Sequence, residues 1–367
     1  MALRSIKTHT RVIQYIRKLQ DRRQIITMAT DHSGVKIRQA RPEDLQDLLE
    51  IGDLYGGRDY LVAHYHTYFN NPIIYPLVAE VDGKAVGFYM NHYIDGGRTL
   101  IKRTARVHEN YRGKGIFHLL SHALDKHREE FWPQVEYEVF GTTTDRADRA
   151  AKEFEEKGFV QLVQKRILNM YVRLDDFKGL DVNPKDSSRV TKMTYDDVKL
   201  LFSNADAVKR LFPNKVLFNW FLGYKPLESN IRYIVAEDAF VFASTSSLTP
   251  LPTAPIDSAA GKSHNFTVDE INDINLLSFA HKHFGRNAMT YSVDLYTTDG
   301  YDSSLIKTHL AKHLQDFRQS TNKDGIVFVT FTSSVSEELV VAYLKDLGVV
   351  DFIPNMETHT VFFERKL

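Results

Sequence analysis

The chain has 367 residues, of which 47 are basic and 47 acidic, so its formal net charge is zero. The absence of cysteine excludes a disulfide framework, a thiolate zinc site and a cysteine nucleophile. The balanced charge argues against nucleic-acid binding, and no apolar run reaches the length of a membrane span. We therefore expect a soluble, intracellular protein without a nucleic-acid or membrane partner, large enough for two domains.

The N-terminal residues 1–27 differ in composition from the rest of the chain. They contain one acid, Asp21, among many arginines and lysines, and their apolar residues recur at helical spacing. This composition is typical of a mitochondrial presequence, although an accessory helix or translation from Met28 would also account for it. We interpret residues 1–34 as a basic N-terminal extension and predict a cytoplasmic protein, with a mitochondrial location as the alternative.

Regular patterns begin at Val35 and predict one α+β domain over residues 35–174. A short strand is followed by leucines at near-helical spacing, and two apolar runs joined at Asp82-Gly83 predict a hairpin. A further strand ends at Val107. An amphipathic helix, a strand, a helix that ends at Gly158 and one or two closing strands complete the domain.

The second half repeats part of this order. Residues 175–188 are polar and predict a linker, and residues 245–265 contain three prolines and predict a long surface loop. Strand, helix, strand, helix and strand then follow, as in the back half of the first domain. We predict a second, degenerate domain over residues 189–367, in which "TTDGYDSSL" stands where the first domain has a glycine loop.

That glycine loop, "RGKGIF" at residues 112–117, is the strongest candidate for a binding site. It lacks the spacing of a P-loop, and His118 occupies the third glycine position of a dinucleotide fingerprint. An R-G-x-G turn between a strand and a helix could instead bind a pyrophosphate through main-chain N–H groups. The alternative is an ordinary tight turn carrying two surface cations.

The stretch "VHENYRGKGIF" resembles the signature of the GCN5-related N-acetyltransferases, a strand ending in valine and then R-x-x-G-x-G/A opening a helix. It matches at Val107, Arg112 and Gly115 and departs at Glu109 and Phe117. A closer resemblance, to the histidine N-acetyltransferases and their relatives, rests on "LYGGRDYL", "IDGGRTL", "RVHENYRGKG", "KEFEEKGF" and "VDLYTTDG".

The resemblance implies a mixed, mostly antiparallel sheet flanked by helices, with a second domain of the same kind that lacks the pyrophosphate loop. It implies acetyl transfer from acetyl-CoA to the α-amine of a free amino acid, histidine or a similar one, by direct attack on the thioester. The pantetheine would pair with the backbone of Val107, and the N–H of Ala105 would polarise the thioester carbonyl. The pyrophosphate would bind the amides of Arg112, Gly113, Lys114, Gly115, Ile116 and Phe117.

The acid–base residues depart from the family pattern. Phe154 occupies the place of a tyrosine that protonates the CoA thiolate in many relatives, and Arg103 occupies a position that often offers a base. We predict Glu138 as a base acting through a water, while the alternative is that Glu136 and Glu138 pair with Arg103, Arg106 or Lys102. These departures keep open a second function, that of a non-catalytic CoA-binding or interaction protein.

Recognition of the acceptor is predicted to involve the stretch 53–69, which is rich in glycine and tyrosine. The candidates are Tyr55, Arg58, Asp59, Tyr60 and Arg103, because a cation suits the acceptor carboxylate and an acid or a tyrosine suits its amine. The alternative is that the tyrosines mainly pack against one another.

Two histidine pairs have the i, i+4 spacing of helical chelators, His118/His122 and His309/His313. Neither has the glutamate of H-E-x-x-H or an obvious third ligand, so we predict no metal and interpret both pairs as helix surface or pocket lining. The sequence does not fix the oligomeric state.

Overall fold

The computed structural model describes residues 34–52, 59–176, 184–219, 222–235, 239–246, 265–285, 288–353 and 359–367. The basic extension, apart from residue 34, lies outside the described residues, as do most of the predicted proline-containing loop and part of the predicted linker. The chain forms two compact units, the first made of residues 1–54, 61–93 and 100–135 and the second of 55–60, 94–99 and 136–367. The domain boundaries deduced from the sequence stay a prediction.

The first unit is built on a sheet with the strand order β1-β2-β3-β4, and its predicted hairpin is confirmed. The hairpin turns at Asp82 and Gly83, whose φ values of 51° and 81° are those that a two-residue turn requires. The elements are β1 Lys36–Gln39, α1 Leu45–Glu50, α2 Leu61–His64, β2 Ile74–Val81, β3 Lys84–Ile94, β4 Thr99–Val107 and α3 Ile116–Phe131.

Helix α3 packs its apolar face on the sheet, as its periodicity predicts. Ile116, Leu120 and Leu124 are buried in one cluster with residues of β1, β2 and β3. Gly87 allows this close approach, because a Cβ at that position would lie 2.9 Å from Ile116 Cγ2.

Polar contacts also fix α3 to the sheet. Lys102 Nζ lies 2.7 Å from Asp125 Oδ1, which links β4 to α3. Asn91 Nδ2 donates to the carbonyl of Leu124 at 3.0 Å, which links β3 to α3. These contacts hold α3 against β3 and β4.

The second unit contains a sheet with the strand order β5-β14-β6-β13-β12-β11-β10-β7 and a separate pair, β8-β9. Its strands are β5 Tyr137–Thr143, β6 Val160–Val172, β7 Thr191–Lys192, β8 Leu217–Asn219, β9 Leu222–Tyr224, β10 Ala239–Thr245, β11 Ile274–Phe284, β12 Met289–Thr297, β13 Gly325–Phe331 and β14 His359–Lys366. Its helices are α4 Thr144–Arg149, α5 Ala151–Glu156, α6 Pro184–Ser187, α7 Tyr195–Ser203, α8 Ala205–Leu211, α9 Ile231–Ile234, α10 Val268–Asp273, α11 Ser304–Ser320 and α12 Glu337–Asp346. The strands and helices predicted beyond residue 288 are confirmed.

The last strand of the chain lies inside this sheet. Strand β14 is antiparallel to β5 on one side and to β6 on the other. Strand β6, which we expected to close the first domain, is antiparallel to β13 on its other side. Strands from both halves of the sequence therefore pair within this sheet.

Helices α11 and α12 pack on β12 and β13 over a large apolar core. His309 and His313 of α11 are fully buried in this region, so the interpretation of this pair as helix surface is wrong. His118 and His122 of α3 are exposed. Among the described helices, none combines the length and the apolar character needed to span a membrane.

Candidate functional site

The predicted pyrophosphate loop connects β4 to α3 in the first unit. After β4 ends at Val107, a short 3-10 turn leads to Arg112, and α3 begins at Ile116. Gly113 and Gly115 have φ values of 75° and 76°. A Cβ at either glycine would meet nothing within 4 Å, so the backbone conformation and not crowding requires glycine here.

The main chain of this loop is presented to solvent. Arg112, Gly113, Lys114 and Gly115 are exposed, and Gly115 caps α3 without a side chain that could occupy its first N–H groups. The first helical N–H groups of any helix lack an acceptor within the helix, and the helix dipole makes this end attractive to anions. The loop therefore has the geometry of an anion site.

The side chains of the loop stabilise its shape. Arg112 Nε donates to the carbonyl of Val107 at 3.1 Å, which folds the loop back on the end of β4. Lys114 Nζ lies 4.9 Å from the centre of the Tyr111 ring. Phe117, where the family pattern has glycine or alanine, is 36% exposed and packs on Tyr89 with ring centres 5.2 Å apart.

Strand β4 is irregular at Thr104, which has a φ of 65°. A non-glycine residue with positive φ inside a strand is typical of a bulge, which interrupts the regular ladder and re-aims neighbouring groups. The irregularity lies directly before Ala105, whose N–H is the predicted donor to the thioester carbonyl. Ala105 and Val107 are both half-buried and pack beside α3 in the same cluster.

Arg103, the residue before this bulge, lies against His92 of β3. Arg103 Nη1 is 3.4 Å from His92 Nδ1. His92 is buried, and its burial together with the positive charge of Arg103 lowers the pKa of His92 well below its usual value. The imidazole is therefore neutral at pH 7, while Arg103 keeps its charge. His92 was not among the residues predicted from the sequence, where an isolated histidine in a strand gives no signal.

In the second unit, the predicted base Glu138 lies on β5 and is buried. Its Oε2 accepts hydrogen bonds from Arg365 Nη2 at 2.6 Å and from Arg365 Nε at 3.1 Å. Arg365 lies on β14, 227 residues further along the chain, and no sequence pattern indicated this pairing. Glu136 lies before β5, is half-buried and pairs with Arg98 at 2.8 Å.

The described part of the predicted acceptor segment is small. Tyr60 is half-buried, and its ring lies edge-on to His283 of β11 with centres 6.3 Å apart. Asp59 beside it is buried. Tyr55 and Arg58 lie outside the described residues.

Phe154 of α5, which occupies the place of the family's tyrosine, lies in an aromatic cluster of the second unit. Its ring centre is 5.0 Å from that of Phe140 and 5.1 Å from that of Phe363. Its partners are carbon surfaces, so this position offers packing and no proton donor.

No group of three or more histidine, aspartate or glutamate side chains is arranged to hold a metal ion within the ranges that the structure describes. The buried pair His309 and His313 instead hydrogen-bonds to Ser278, each at 2.7 Å.

The sequence profile of the acetyltransferase (GNAT) family matches residues 43–159. The chain carries a GNAT acetyltransferase domain. This match includes β4, the glycine loop and α3, and thus every residue predicted to contact CoA.

Individual relatives of the GNAT domain agree with this assignment. The chain is 24% identical over 223 residues to histidine N-acetyltransferase of Scomber australasicus, which covers 57% of the chain and 65% of that protein. Identity to histidine N-acetyltransferase of Oreochromis niloticus is also 24%, over 224 residues, again 57% of the chain and 65% of that protein. The alignments thus span 65% of the length of these relatives.

Most of the chain also shares its fold with a solved structure. The tandem GNAT protein from the clavulanic acid biosynthesis pathway superposes with a TM-score of 0.51 and 12% identity, over 90% of this chain and 98% of that one. The fold is therefore the α+β GNAT fold, and the likeness to a tandem protein agrees with a second GNAT-like domain in the second half.

Proposed function

We propose that this protein is an N-acetyltransferase that transfers the acetyl group of acetyl-CoA to the α-amine of a free amino acid, L-histidine or a similar one. The observation that carries the proposal is the loop of the GNAT domain, with two glycines of positive φ and exposed main chain at the start of α3. The relatives named histidine N-acetyltransferase support the choice of acceptor.

The described residues fit a bound coenzyme A. The N–H groups of residues 112–117 would bind its pyrophosphate, because they lie at a glycine-capped helix start with no capping side chain in their way. Phe117 is the one side chain of the loop that differs from the family pattern, and it is held against Tyr89, within the GNAT domain. The backbone of Val107 would pair with the pantetheine amides as an added strand does.

In this proposal the bulge at Thr104 serves the chemistry. It would allow the Ala105 N–H to donate to the thioester carbonyl, whose oxygen gains negative charge when the amine attacks. One donor of this kind contributes about 3 kcal/mol of transition-state stabilisation in enzymes where it has been removed. The acceptor amine would attack as a neutral group, and the enzyme would contribute mainly orientation and proton removal.

Arg103 is our candidate for binding the acceptor's carboxylate. Its guanidinium is half-buried, lies one residue before the bulge and stays charged at pH 7. Arginine also suits a planar carboxylate, to which it can donate two parallel hydrogen bonds.

One observation favours a second candidate function, that of a CoA-binding protein without catalysis. Phe154 cannot donate a proton, and it lies among phenylalanine rings. In this alternative the loop would bind acetyl-CoA, but no amine would be acetylated.

The experiment measures the release of the CoA thiol with acetyl-CoA and a panel of free amino acids, together with the thermal stability of the protein. Acetyl-CoA at 100 times its dissociation constant should stabilise the folded protein by about 2.7 kcal/mol. Turnover with at least one amino acid supports the enzyme. Stabilisation without turnover of any amine supports the binding protein, and the absence of stabilisation contradicts both.

A further inference from the structure

Phe117 is a large apolar side chain that is 36% exposed on the first turn of α3. Its neighbours on the buried face of this helix, Ile116 and Leu120, are almost fully enclosed. Alanine, which the family pattern has at position 117 as an alternative to glycine, is a better helix former than phenylalanine, so the helix itself does not require this ring. The ring therefore leaves apolar surface in water at the end of the proposed pyrophosphate loop.

Two ring contacts limit where the Phe117 side chain can point. Its ring centre lies 5.2 Å from that of Tyr89 at an interplanar angle of 36°, and 5.9 Å from that of His118. Tyr89 lies on β3, the neighbour of β4 in the sheet, and belongs to the apolar cluster against which Ala105 and Val107 pack. The contact with Tyr89 therefore holds the Phe117 ring towards the sheet, beside the cluster that includes the end of β4.

We propose that Phe117 is a cofactor-binding residue, whose ring packs on the apolar part of the pantetheine arm of coenzyme A. The proposal rests on the proposed function, in which the pyrophosphate binds residues 112–117 and the pantetheine pairs with Val107. The arm carries a pair of methyl groups close to the pyrophosphate, so it brings apolar surface to the end of the loop that Phe117 occupies. Packing these methyl groups on the ring would remove apolar surface of both partners from water.

The adenine of coenzyme A is the other group that could use an exposed ring, since bases stack on aromatic side chains. The position of the ring favours the pantetheine arm, because Tyr89 belongs to the cluster against which Val107 packs. The two interpretations predict different losses of affinity when the ring is removed, so binding measurements distinguish them.

The test measures binding to the full chain by calorimetry, with CoA and with ADP as the ligands. ADP keeps the adenine, the ribose and the pyrophosphate of CoA but lacks the pantetheine arm. Phe117→Ala removes the ring, whereas Phe117→Leu keeps a branched apolar side chain. The control is His122→Ala, which changes another exposed side chain further along α3.

For Phe117→Ala we expect the dissociation constant of CoA to rise by about tenfold, the effect of leaving the pair of methyl groups in water. The dissociation constant of ADP should stay the same, because ADP has no group that reaches the ring. Phe117→Leu should recover most of the affinity for CoA, and His122→Ala should change neither constant. The melting temperature of Phe117→Ala without ligand should stay close to that of the wild type, because alanine favours the helix.

An affinity for CoA that is equal or higher in Phe117→Ala would overturn the proposal, since the ring would then contribute nothing to binding or obstruct it. An equal loss of affinity for ADP would also overturn it and would assign the ring to the adenine. In both cases CoA binding by the loop stands. If the wild-type protein binds neither CoA nor acetyl-CoA, the proposed function fails and this inference falls with it.

Discussion

The backbone conformation of the glycine loop at residues 112–117 requires glycine at two positions. Their effect on binding can therefore be measured separately from their effect on folding. Gly113 has a φ of 75°, and Gly158, which follows the end of α5, has the same φ of 75°. Neither would crowd a Cβ. An alanine would therefore be strained equally at Gly113 and at Gly158, and the two positions differ only in their place along the chain.

We predict that Gly113→Ala and Gly158→Ala each lower the free energy of unfolding by about 1 kcal/mol, the cost of a left-handed conformation for an L-residue. Only Gly113→Ala should also weaken acetyl-CoA binding, because strain at this position would displace the N–H groups of the proposed pyrophosphate site. Urea unfolding and calorimetric titration with acetyl-CoA measure the two effects. Equal affinities in the two variants would contradict a role of the loop in binding CoA.

The pairing of Glu138 with Arg365 bears on the predicted general base. Its Oε2 accepts two hydrogen bonds from the Arg365 guanidinium, so this oxygen already has a protein partner. The pair also joins β5 to β14, which gives it a structural use.

We predict that Glu138→Gln keeps acetyl transfer within about tenfold of the wild-type rate and lowers the free energy of unfolding by about 1–2 kcal/mol. The reason is that glutamine retains one acceptor for Arg365 but no charge. Arg365→Gln is the matched variant on the other side of the pair and should behave alike. A loss of activity beyond about a hundredfold at unchanged stability would instead support Glu138 as the base.

At the scale of elements, a network of hydrogen-bonded polar side chains is buried between helix α11 and strands β10, β11 and β12. Ser244 Oγ lies 2.8 Å from His309 Nε2, and His309 Nδ1 lies 2.7 Å from Ser278 Oγ. Ser278 Oγ also lies 2.7 Å from His313 Nε2. His313 Nδ1 lies 3.3 Å from Tyr291 Oη, which is 2.9 Å from Asp316 Oδ2.

The carboxylate of Asp316, at one end of this network, determines which atom donates in each hydrogen bond. Asp316 only accepts, so Tyr291 donates to it and accepts from His313 Nδ1–H. His313 Nε2 then accepts from the Ser278 hydroxyl, whose oxygen accepts from His309 Nδ1–H. In this arrangement both imidazoles are neutral and carry their hydrogen on Nδ1.

We predict that Ser278→Ala lowers the free energy of unfolding by about 3 kcal/mol, because it leaves one buried donor on His309 and one buried acceptor on His313 without this partner. The matched control is Ser292→Ala on the next strand. Ser292 is equally buried, and its hydroxyl makes a contact of 3.5 Å with a carbonyl. Urea unfolding measures the free energy of unfolding of the two variants. Equal losses would show that the hydrogen-bond network makes no specific contribution to stability.

At the scale of the whole molecule, periodicity predicted local elements and failed at long-range pairing. The order of strands and helices over residues 35–174 followed from apolar spacing and turn residues, because both are local. The insertion of β14 between β5 and β6 could not be predicted, since nothing in "THTVFFERKL" specifies which strands it joins. The same limit hid Arg365 as the partner of Glu138.

The residues of the candidate site also divide into those that local sequence predicts and those that depend on long-range contacts. The residues of the loop could be predicted, because the R-G-x-G turn and the start of α3 are written in consecutive residues. The contact of His92 could not be predicted, because its neighbour Arg103 lies on another strand. The burial of His309 and His313 was missed because an i, i+4 spacing shows that two side chains share a helix face without showing which face is buried.

Both units bury neutral histidines, which makes the stability of the whole molecule depend on pH. Burial lowers the pKa of His127 and of His309 to about 3, and it lowers the pKa of His92 and His313 well below the usual value. The neighbouring His309 and His281 also lower the pKa of His313, and the charge of Lys312 lowers that of His309.

Because these folded-state pKa values lie below those of the unfolded chain, the unfolded chain binds more protons as the pH falls below about 6.5. We predict that the stability is fully present above that pH and declines on acidification, by up to about 1.4 kcal/mol per pH unit for each such histidine. Melting temperatures between pH 7.5 and 5.5 measure this. His309→Asn should flatten the pH dependence, whereas His118→Asn, at an exposed position of α3, should leave it unchanged. A wild-type melting temperature that stays constant over this range would contradict neutral, buried imidazoles.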